Sequence, residues 1–202
     1  MTIIGLTGGI ASGKSTAAER LVDHGAVLID ADAVVRQLQA PDGAAIAPMV
    51  EAFGPEILDD HGALDRPALG RRVFADPKAR EQLNAIVHPL VRERSAELVE
   101  QARQERGPDV VIVRDIPLLV ETGQAQEMDL VLVIEAPREQ RIRRMVEDRG
   151  MSAVDAAARI DAQATDEQRR ASADDVLVND GSVEQLIAAV DEWWRRRGLG
   201  AL

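Results

Sequence analysis

Cysteine is absent from this 202-residue sequence, and lysine occurs only twice, as Lys14 and Lys78. Without cysteine the chain forms no disulfide bond, which fits a reducing compartment. No apolar run approaches the roughly 20 residues of a membrane-spanning helix, and no basic segment followed by an apolar stretch resembles a secretory leader. We therefore expect a cytoplasmic protein that does not associate with membranes.

Basic residues are outnumbered by acidic ones, 24 to 35, so the formal net charge is −11. A surface of that sign disfavours a general nucleic-acid binder or a protein of anionic membranes, because both partners are polyanions. Small anionic ligands remain compatible with it, since they need only a local basic pocket. At this length we expect one compact unit with sub-domains, as a monomer or a weak oligomer.

One of the two lysines lies in a glycine-rich stretch that fits Gly-x-x-x-x-Gly-Lys-Ser/Thr, the phosphate-binding loop (P-loop) of nucleoside triphosphate enzymes. An apolar run, 3–7, precedes it and indicates a buried strand, and residues 16–22 after it indicate a helix. This strand–loop–helix context supports the motif. The residues predicted to bind ATP here are Gly8, Gly9, Ile10, Ala11, Ser12, Gly13, Lys14, Ser15 and Thr16.

Each part of the P-loop suits a bound triphosphate. The glycines allow successive backbone N–H groups to face one anion, and the helix adds its free N–H groups and positive dipole end. Lys14 supplies a mobile positive charge for the outer phosphates. The Ser15 hydroxyl suits Mg²⁺, and Thr16 can donate to a phosphate oxygen.

Buried strands alternate with helices along the rest of the chain, which predicts an α/β fold with a parallel five-stranded sheet flanked by helices. Further strands are expected at 27–29, 110–113, 130–134 and 175–178. Residues 41–108 indicate a largely helical insertion, with helices over 44–53 and 89–106 and helix starts after Asp65 and Asp76. The last helix begins at Ser182 and carries Trp193 and Trp194, which we expect to pack against the sheet.

Polar residues follow three of the predicted strands, where ligands bind in open α/β sheets. Asp30 and Asp32 follow the second strand, and one of them is expected to cap the next helix. Asp115 follows the third strand and is either a magnesium-binding carboxylate or a helix cap. Asn179, after the last strand, is placed to border the adenine.

An arginine-dense helix is predicted to start at Pro137 and to end before Gly150. With a second helix from Ser152 to about Gln163 it would form a lid, in which at least one arginine reaches phosphate. The pattern does not choose among Arg138, Arg141, Arg143, Arg144 and Arg149. His88 lies just before Pro89, at what the pattern predicts to be a helix entrance.

Taken together, several of these stretches resemble the dephospho-coenzyme A kinase family of P-loop kinases. The most specific are Val-His-Pro-Leu-Val at 87–91 and Asp-Ile-Pro-Leu-Leu-Val-Glu at 115–121, which occur together in that family. Arg-Gly-Met-Ser at 149–152, the P-loop and Asp-Ala-Asp at 30–32 match as well. Two positions depart from the usual pattern: Ala11 stands where many members have glycine, and Val120 stands where phenylalanine is common.

The resemblance implies ATP-dependent phosphorylation of the ribose 3′-hydroxyl of dephospho-coenzyme A, with Mg²⁺. It implies that Asp32 accepts or orients the hydroxyl proton, with Lys14 and Arg149 as further catalytic residues. His88, Asp115 and Leu118 would contact the acceptor together with Asp32, and Ser15 and Asp115 would hold the metal. The expected sub-domains are a nucleotide-binding core (1–34, 109–137 and 171–202), an acceptor-binding region (35–108) and a lid (138–170).

Two other functions share part of this pattern. A kinase for another small hydroxyl compound, such as a nucleoside monophosphate or a sugar acid, would have the loop and the lid but not the combination of motifs at 87–91 and 115–121. A nucleotide-dependent switch would need no acceptor. The sequence lacks the Asn-Lys-x-Asp element with which GTPase switches read guanine.

Overall fold

The computed structural model describes residues 1–200, and they contain one five-stranded sheet. Its strands are Thr2–Gly8 (β1), Val27–Asp30 (β2), Val111–Asp115 (β3), Leu130–Glu135 (β4) and Asp175–Val178 (β5). The order is β2-β3-β1-β4-β5, with β1 paired in parallel to β3 and β4, and β5 paired in parallel to β4. The predicted parallel α/β fold is confirmed, and the central strand is the one that leads into the P-loop.

α-Helices lie in three of the four connections between strands, whereas β3 leads to β4 through turns and a short 3-10 helix, Gln124–Glu127, and the final helix follows the last strand. The α-helices are α1 (Lys14–Asp23), α2 (Ala31–Leu38), α3 (Ile46–Phe53), α4 (Arg66–Ala75), α5 (Pro77–Arg106), α6 (Arg138–Arg149), α7 (Ala153–Asp161), α8 (Asp166–Ala171) and α9 (Val183–Arg197). Their ends follow local chemistry, because Ser152, Thr165 and Ser182 each accept a backbone N–H as N-caps. Among the described residues, no helix is long and apolar enough to span a membrane.

The main core lies where α1 and α9 pack on the sheet. Ile4 and Leu6 of β1 are fully buried there, two residues apart and therefore on one face of the strand. Trp193 and Trp194 are 1% and 2% exposed in the same cluster, which confirms their predicted packing role. Burying one such large apolar side chain contributes about 1.5–3 kcal/mol, so this cluster fixes the strand that carries the P-loop.

The chain divides into two compact units. The first contains Met1–Ile29 and the described residues from Ala102 onward, and the second contains Asp30–Gln101. Buried apolar residues of the second unit include Met49, Phe53 and Leu69. This unit is helical apart from a single isolated bridge between Leu58 and Leu64, as expected for this insertion.

The helix predictions contained two errors, one wrong boundary and one missed helix. Pro89 does not begin a helix, because α5 continues through it for 30 residues and His88 therefore lies within the helix. Proline removes one N–H and is read as a break, but a long helix can lose one internal hydrogen bond and continue. The second error is the omission of α8, whose six residues bury little beyond Arg169.

Candidate functional site

The P-loop connects the central strand to α1 without a side-chain cap. Gly8 is the last residue of β1, and Lys14 is the first residue of α1. Gly13 stands at the N-cap with φ +97°, and no side chain caps the helix there. The first N–H groups of α1 are therefore left for a ligand, and the helix dipole favours an anion.

Two glycines of this loop have close neighbours, and a side chain at Gly13 would also be strained by its backbone conformation. A Cβ atom at Gly13 would lie 2.3 Å from Nδ2 of Asn179, in addition to the unfavourable positive φ. A Cβ atom at Gly9 would lie 2.0 Å from Nη1 of Arg141. Ala11 also has a positive φ, +61°, so it adopts the left-handed conformation that glycine would adopt without strain.

Lys14 and Asp115 form an ion pair at the carboxyl ends of neighbouring strands. Parallel pairing sets Asp115 opposite Leu6, so β3 ends beside the strand that enters the P-loop. Their side chains are 17% and 11% exposed. The fold thus brings together two predicted site residues, the mobile cation and the acidic group.

Asn179 braces the P-loop from the end of β5. Its Nδ2 donates to the backbone oxygen of Ser12 at 2.7 Å, and its own N–H donates to the oxygen of Glu135. The side chain is buried, with 6% of the residue exposed. Asn179 thereby ties the loop to the sheet, a contact that its position after a strand had not indicated.

Arginines of α6 reach the P-loop from one face of the helix. Nη1 of Arg144 donates to the backbone oxygen of Ala11 at 3.1 Å, and Arg141 is buried beside Gly9. These two residues are three apart and therefore share a face. Arg143 and Arg149 are exposed, the latter in the last turn of the helix.

The helices after α6 are also attached to the loop. Ile10 donates its N–H to Oε1 of Gln163 at 2.8 Å, and its side chain packs on an apolar cluster that includes Met145 and Ile160. The N–H of Ala164 donates to Oε1 of Glu121 at 2.8 Å. Glu121 belongs to the stretch at 115–121 that resembles the family, and these contacts give both Glu121 and Gln163 a structural role.

Sequence reasoning named Arg141 only as one of five arginines of the predicted lid helix, and it did not identify Arg169 as a site residue. Both are buried, Arg141 at 3% and Arg169 at 2% exposure, and both lie near Gly9. The i, i+3, i+4 pattern of Arg141, Arg144 and the buried Met145 was a signal for the first. No such signal existed for Arg169, because α8 was not predicted.

Two of the predicted acceptor-binding residues, Asp32 and His88, belong to the second unit. Oδ1 of Asp30 accepts the N–H groups of Asp32 and Ala33, so Asp30 is the predicted helix cap. Asp32 lies in the first turn of α2 with an exposed side chain. His88 is exposed on α5.

Leu118, which belongs to the first unit, is 48% exposed just after β3. Its neighbour Leu119 is fully buried. An exposed leucine beside a buried one leaves an apolar surface near the end of the strand that carries Asp115.

The site contains oxygen donors suited to magnesium but no preformed cage. Within residues 1–200, no three His, Cys, Asp or Glu residues are grouped as metal ligands. The Ser15 hydroxyl and the Asp115 carboxylate are hard oxygen donors, and Mg²⁺ is usually bound by one or two protein groups together with phosphates and water. The donor set fits that ion.

Comparisons with known proteins agree with this geometry. A family model described as dephospho-CoA kinase matches residues 2–185. A dephospho-CoA kinase of Streptomyces avermitilis is 50% identical over 194 residues, covering 96% of this chain and 93% of that protein. One from Mycolicibacterium paratuberculosis is 49% identical over 98% of this chain, which spans only 47% of that relative's length.

A solved structure from Thermus thermophilus resembles the whole chain. Its TM-score is 0.81 at 36% sequence identity, and the likeness covers 96% of this chain and 97% of that one. The sheet and its connecting helices therefore follow an architecture that has been observed experimentally.

Proposed function

This chain belongs to the dephospho-CoA kinase family, and we propose that it transfers the terminal phosphoryl group of ATP to the ribose 3′-hydroxyl of dephospho-coenzyme A. The products are coenzyme A and ADP, in the last step of coenzyme A synthesis. The observation that carries the proposal is the family match over residues 2–185, on a chain whose P-loop helix begins at Lys14 without a side-chain cap.

Direct in-line transfer is the mechanism that these residues favour. Phosphoryl transfer needs mainly positioning and neutralisation of charge, because the transferring group carries negative charge on its oxygens. The N–H groups at the start of α1 and the Lys14 ammonium provide positive groups on one side of the loop. Arg144, bound to the Ala11 carbonyl, provides another cation beside it. Arg149 is the arginine that the resemblance favours for the transferring phosphoryl group.

Magnesium would be held by two oxygen donors, Ser15 in the first turn of α1 and Asp115 at the end of β3. When bound, Mg²⁺ neutralises charge on the outer phosphates. Asp115 would exchange part of its ion pair with Lys14 for that role, which frees the lysine ammonium to contact the nucleotide.

Asp32 is proposed to accept or orient the proton of the attacking ribose hydroxyl. Its support is its place in the chain, two residues after β2, together with the exposed side chain. Ligands in α/β sheets bind beyond the carboxyl ends of strands, and Asp30 already occupies the cap of α2. Asp32 therefore has no capping role to explain it.

The remaining contacts follow from the resemblance. His88 and Leu118 would contact the acceptor with Asp32 and Asp115, residues 35–108 would form the acceptor-binding region, and residues 138–170 would act as a lid. Asn179, which is hydrogen-bonded to the P-loop, would border the adenine. The enzyme would act in the cytoplasm, where ATP is available, as a monomer or weak oligomer.

The test is an acceptor panel assayed by ADP release from Mg-ATP. Dephospho-coenzyme A is compared with nucleoside monophosphates and sugar acids at equal concentrations. The proposal expects release to depend on dephospho-coenzyme A. Equal or greater stimulation by another acceptor would assign a different substrate, and acceptor-independent hydrolysis would favour a nucleotide switch.

A further inference from the structure

Two buried arginines next to the P-loop share one carboxylate. Oδ2 of Asp166 accepts from Nη2 of Arg141 at 2.9 Å, and Oδ1 accepts from Nη1 of Arg169 at 3.0 Å. The arginine side chains are 4% and 2% exposed, whereas that of Asp166 is 28% exposed. The carboxylate thus bridges the two guanidinium groups from their solvent side.

Both guanidinium groups lie against Gly9 of the loop. A Cβ atom built there would meet Nη1 of Arg141 at 2.0 Å and Nη1 of Arg169 at 3.6 Å. The first distance is too short for a real Cβ atom, so glycine allows Arg141 to lie this close to the loop, whereas the second is an ordinary contact distance. The pair therefore belongs to the wall of the P-loop.

The cluster holds more positive charge and more donors than its one carboxylate satisfies. Two guanidinium groups against one carboxylate leave about one uncompensated positive charge, because arginine stays protonated in proteins. Within residues 1–200, the buried Nε atoms of Arg141 and Arg169 and Nη2 of Arg169 have no hydrogen-bond partner. A buried charge and buried unpaired donors are both costly, so the arrangement favours a second anion.

We propose that Arg141 and Arg169 form a paired anion site for the outer phosphates of the nucleotide, and that Asp166 is the positioning residue that holds them there. Without nucleotide, Asp166 is their single counter-ion. With nucleotide, the phosphate oxygens supply the second negative charge, and Asp166 keeps both guanidinium planes directed at Gly9. This inference rests on the proposed function only in taking the anion to be a nucleoside triphosphate.

A purely structural cluster would behave differently. If Arg169 only held α8 in place, its loss would lower stability and leave nucleotide affinity unchanged. An anion site with excess positive charge in the unliganded protein would give the opposite result. Removing one arginine would then stabilise the unliganded protein, because it lowers the repulsion between the two cations, and it would weaken nucleotide binding.

The first variant is therefore Arg169→Gln, with Arg138→Gln as its matched control. Arg138 is an exposed arginine of the same helical region, paired with Asp161. Without any acceptor, we expect Arg169→Gln to keep or raise the melting temperature and to weaken ATP and tripolyphosphate binding by about tenfold or more. Arg138→Gln should match the parent in both measurements.

The second variant is Asp166→Asn, with Asp161→Asn as its control and Asp166→Glu as the conservative form. We expect Asp166→Asn to lower the melting temperature without ligand but to show a larger shift on adding ATP than the parent. Its kcat should fall about tenfold, as for other residues that orient a site, and Asp166→Glu should recover part of the loss.

Unchanged ATP and tripolyphosphate affinity in Arg169→Gln would overturn the anion site. An ATP-induced shift and a kcat equal to those of the parent in Asp166→Asn would overturn the positioning role. Should Asp166→Asn not fold, Arg169→Gln and Asp166→Glu still decide both points. Binding is measured without acceptor, so a kinase that uses another acceptor would give the same binding results while failing the acceptor panel.

Discussion

The ammonium group of Lys14 and the carboxylate of Asp115 form an ion pair that joins the start of α1 to the end of β3. Both side chains are mostly buried, so solvent screens the attraction between the two charges less than it would at the surface. A triphosphate bound on the P-loop would compete for Lys14, and a magnesium ion would compete for Asp115. If the proposed roles of Lys14 and Asp115 hold, the pair would couple binding of the nucleotide to binding of the metal.

Replacing Asp115 with Asn should reduce turnover with Mg-ATP by about 10- to 100-fold, a typical cost of removing a group that supports a metal. The amide is a weaker magnesium ligand and leaves Lys14 without its partner. Initial rates measured over a magnesium titration should show that the variant needs more metal. Asp109→Asn, at an exposed position before β3, is the control. A magnesium dependence identical to the parent's would remove Asp115 from the metal site.

The neighbouring carboxylates Asp30 and Asp32 should separate into a structural and a catalytic role. General-base catalysis is typically worth about 100- to 10,000-fold, so Asp32→Asn should lower kcat on that scale while ATP still binds. Asp30→Ala should instead lower the free energy of unfolding by about 0.5–2 kcal/mol, because it removes the side chain that caps α2. Steady-state kinetics and urea denaturation of both variants check this. Near-normal turnover in Asp32→Asn would reject its role.

The arginines of α6 can be ranked by single substitution. Family resemblance selects Arg149, whereas the contact with the Ala11 carbonyl selects Arg144. An arginine that stabilises the transferring phosphoryl group can be worth about 1,000-fold. We expect Arg144→Ala to lose more kcat than Arg149→Ala, because only the former contacts the loop in this structure. A larger loss in Arg149→Ala would mean that the lid changes position when substrates bind.

Stability should depend on pH through Asp191, which lies where α9 packs on α1. The pKa of Asp191 is lowered chiefly because Arg20 donates hydrogen bonds to it at 2.6 and 3.0 Å, with a smaller contribution from His24. A lowered carboxyl pKa stabilises the fold above the ordinary value of about 4, and that stabilisation disappears as the pH falls through the native pKa.

The variant Asp191→Asn should therefore unfold more easily than the parent at pH 7, by about 1–3 kcal/mol for lost hydrogen bonds to a charged group. The difference should shrink as the pH falls below about 4 towards the lowered native pKa of Asp191, where the parent carboxylate takes up a proton. Urea denaturation at several pH values measures this, with Asp23→Asn, an exposed partner of Arg20, as the control. A difference independent of pH would contradict the assignment.

Much of this site could be predicted from sequence because its signals are local. The P-loop carries its own spacing, buried parallel strands are short apolar runs, and Ser152 and Ser182 mark helix starts. Each of these features depends on a few neighbouring residues. The structure therefore agrees with the expected sheet, the cap at Asp30 and the packing of the tryptophans.

What the sequence left open depends on contacts distant in the chain. Arg141 and Arg169 resemble solvated residues of charged helices, and only the folded chain buries them beside Gly9, more than 130 residues away. The brace from Asn179 to Ser12 is of the same kind. Pro89 is the converse case, in which a local signal misled the prediction. Proline usually ends a helix, but α5 continues through it.

The most direct test of the central claim is to identify the product made from Mg-ATP and dephospho-coenzyme A by mass spectrometry, with the phosphate position determined by fragmentation. The account predicts coenzyme A, one phosphoryl group heavier than the acceptor and phosphorylated at the ribose 3′-oxygen, in equal amount to the ADP released. Folded protein that binds ATP but leaves dephospho-coenzyme A unmodified would contradict it.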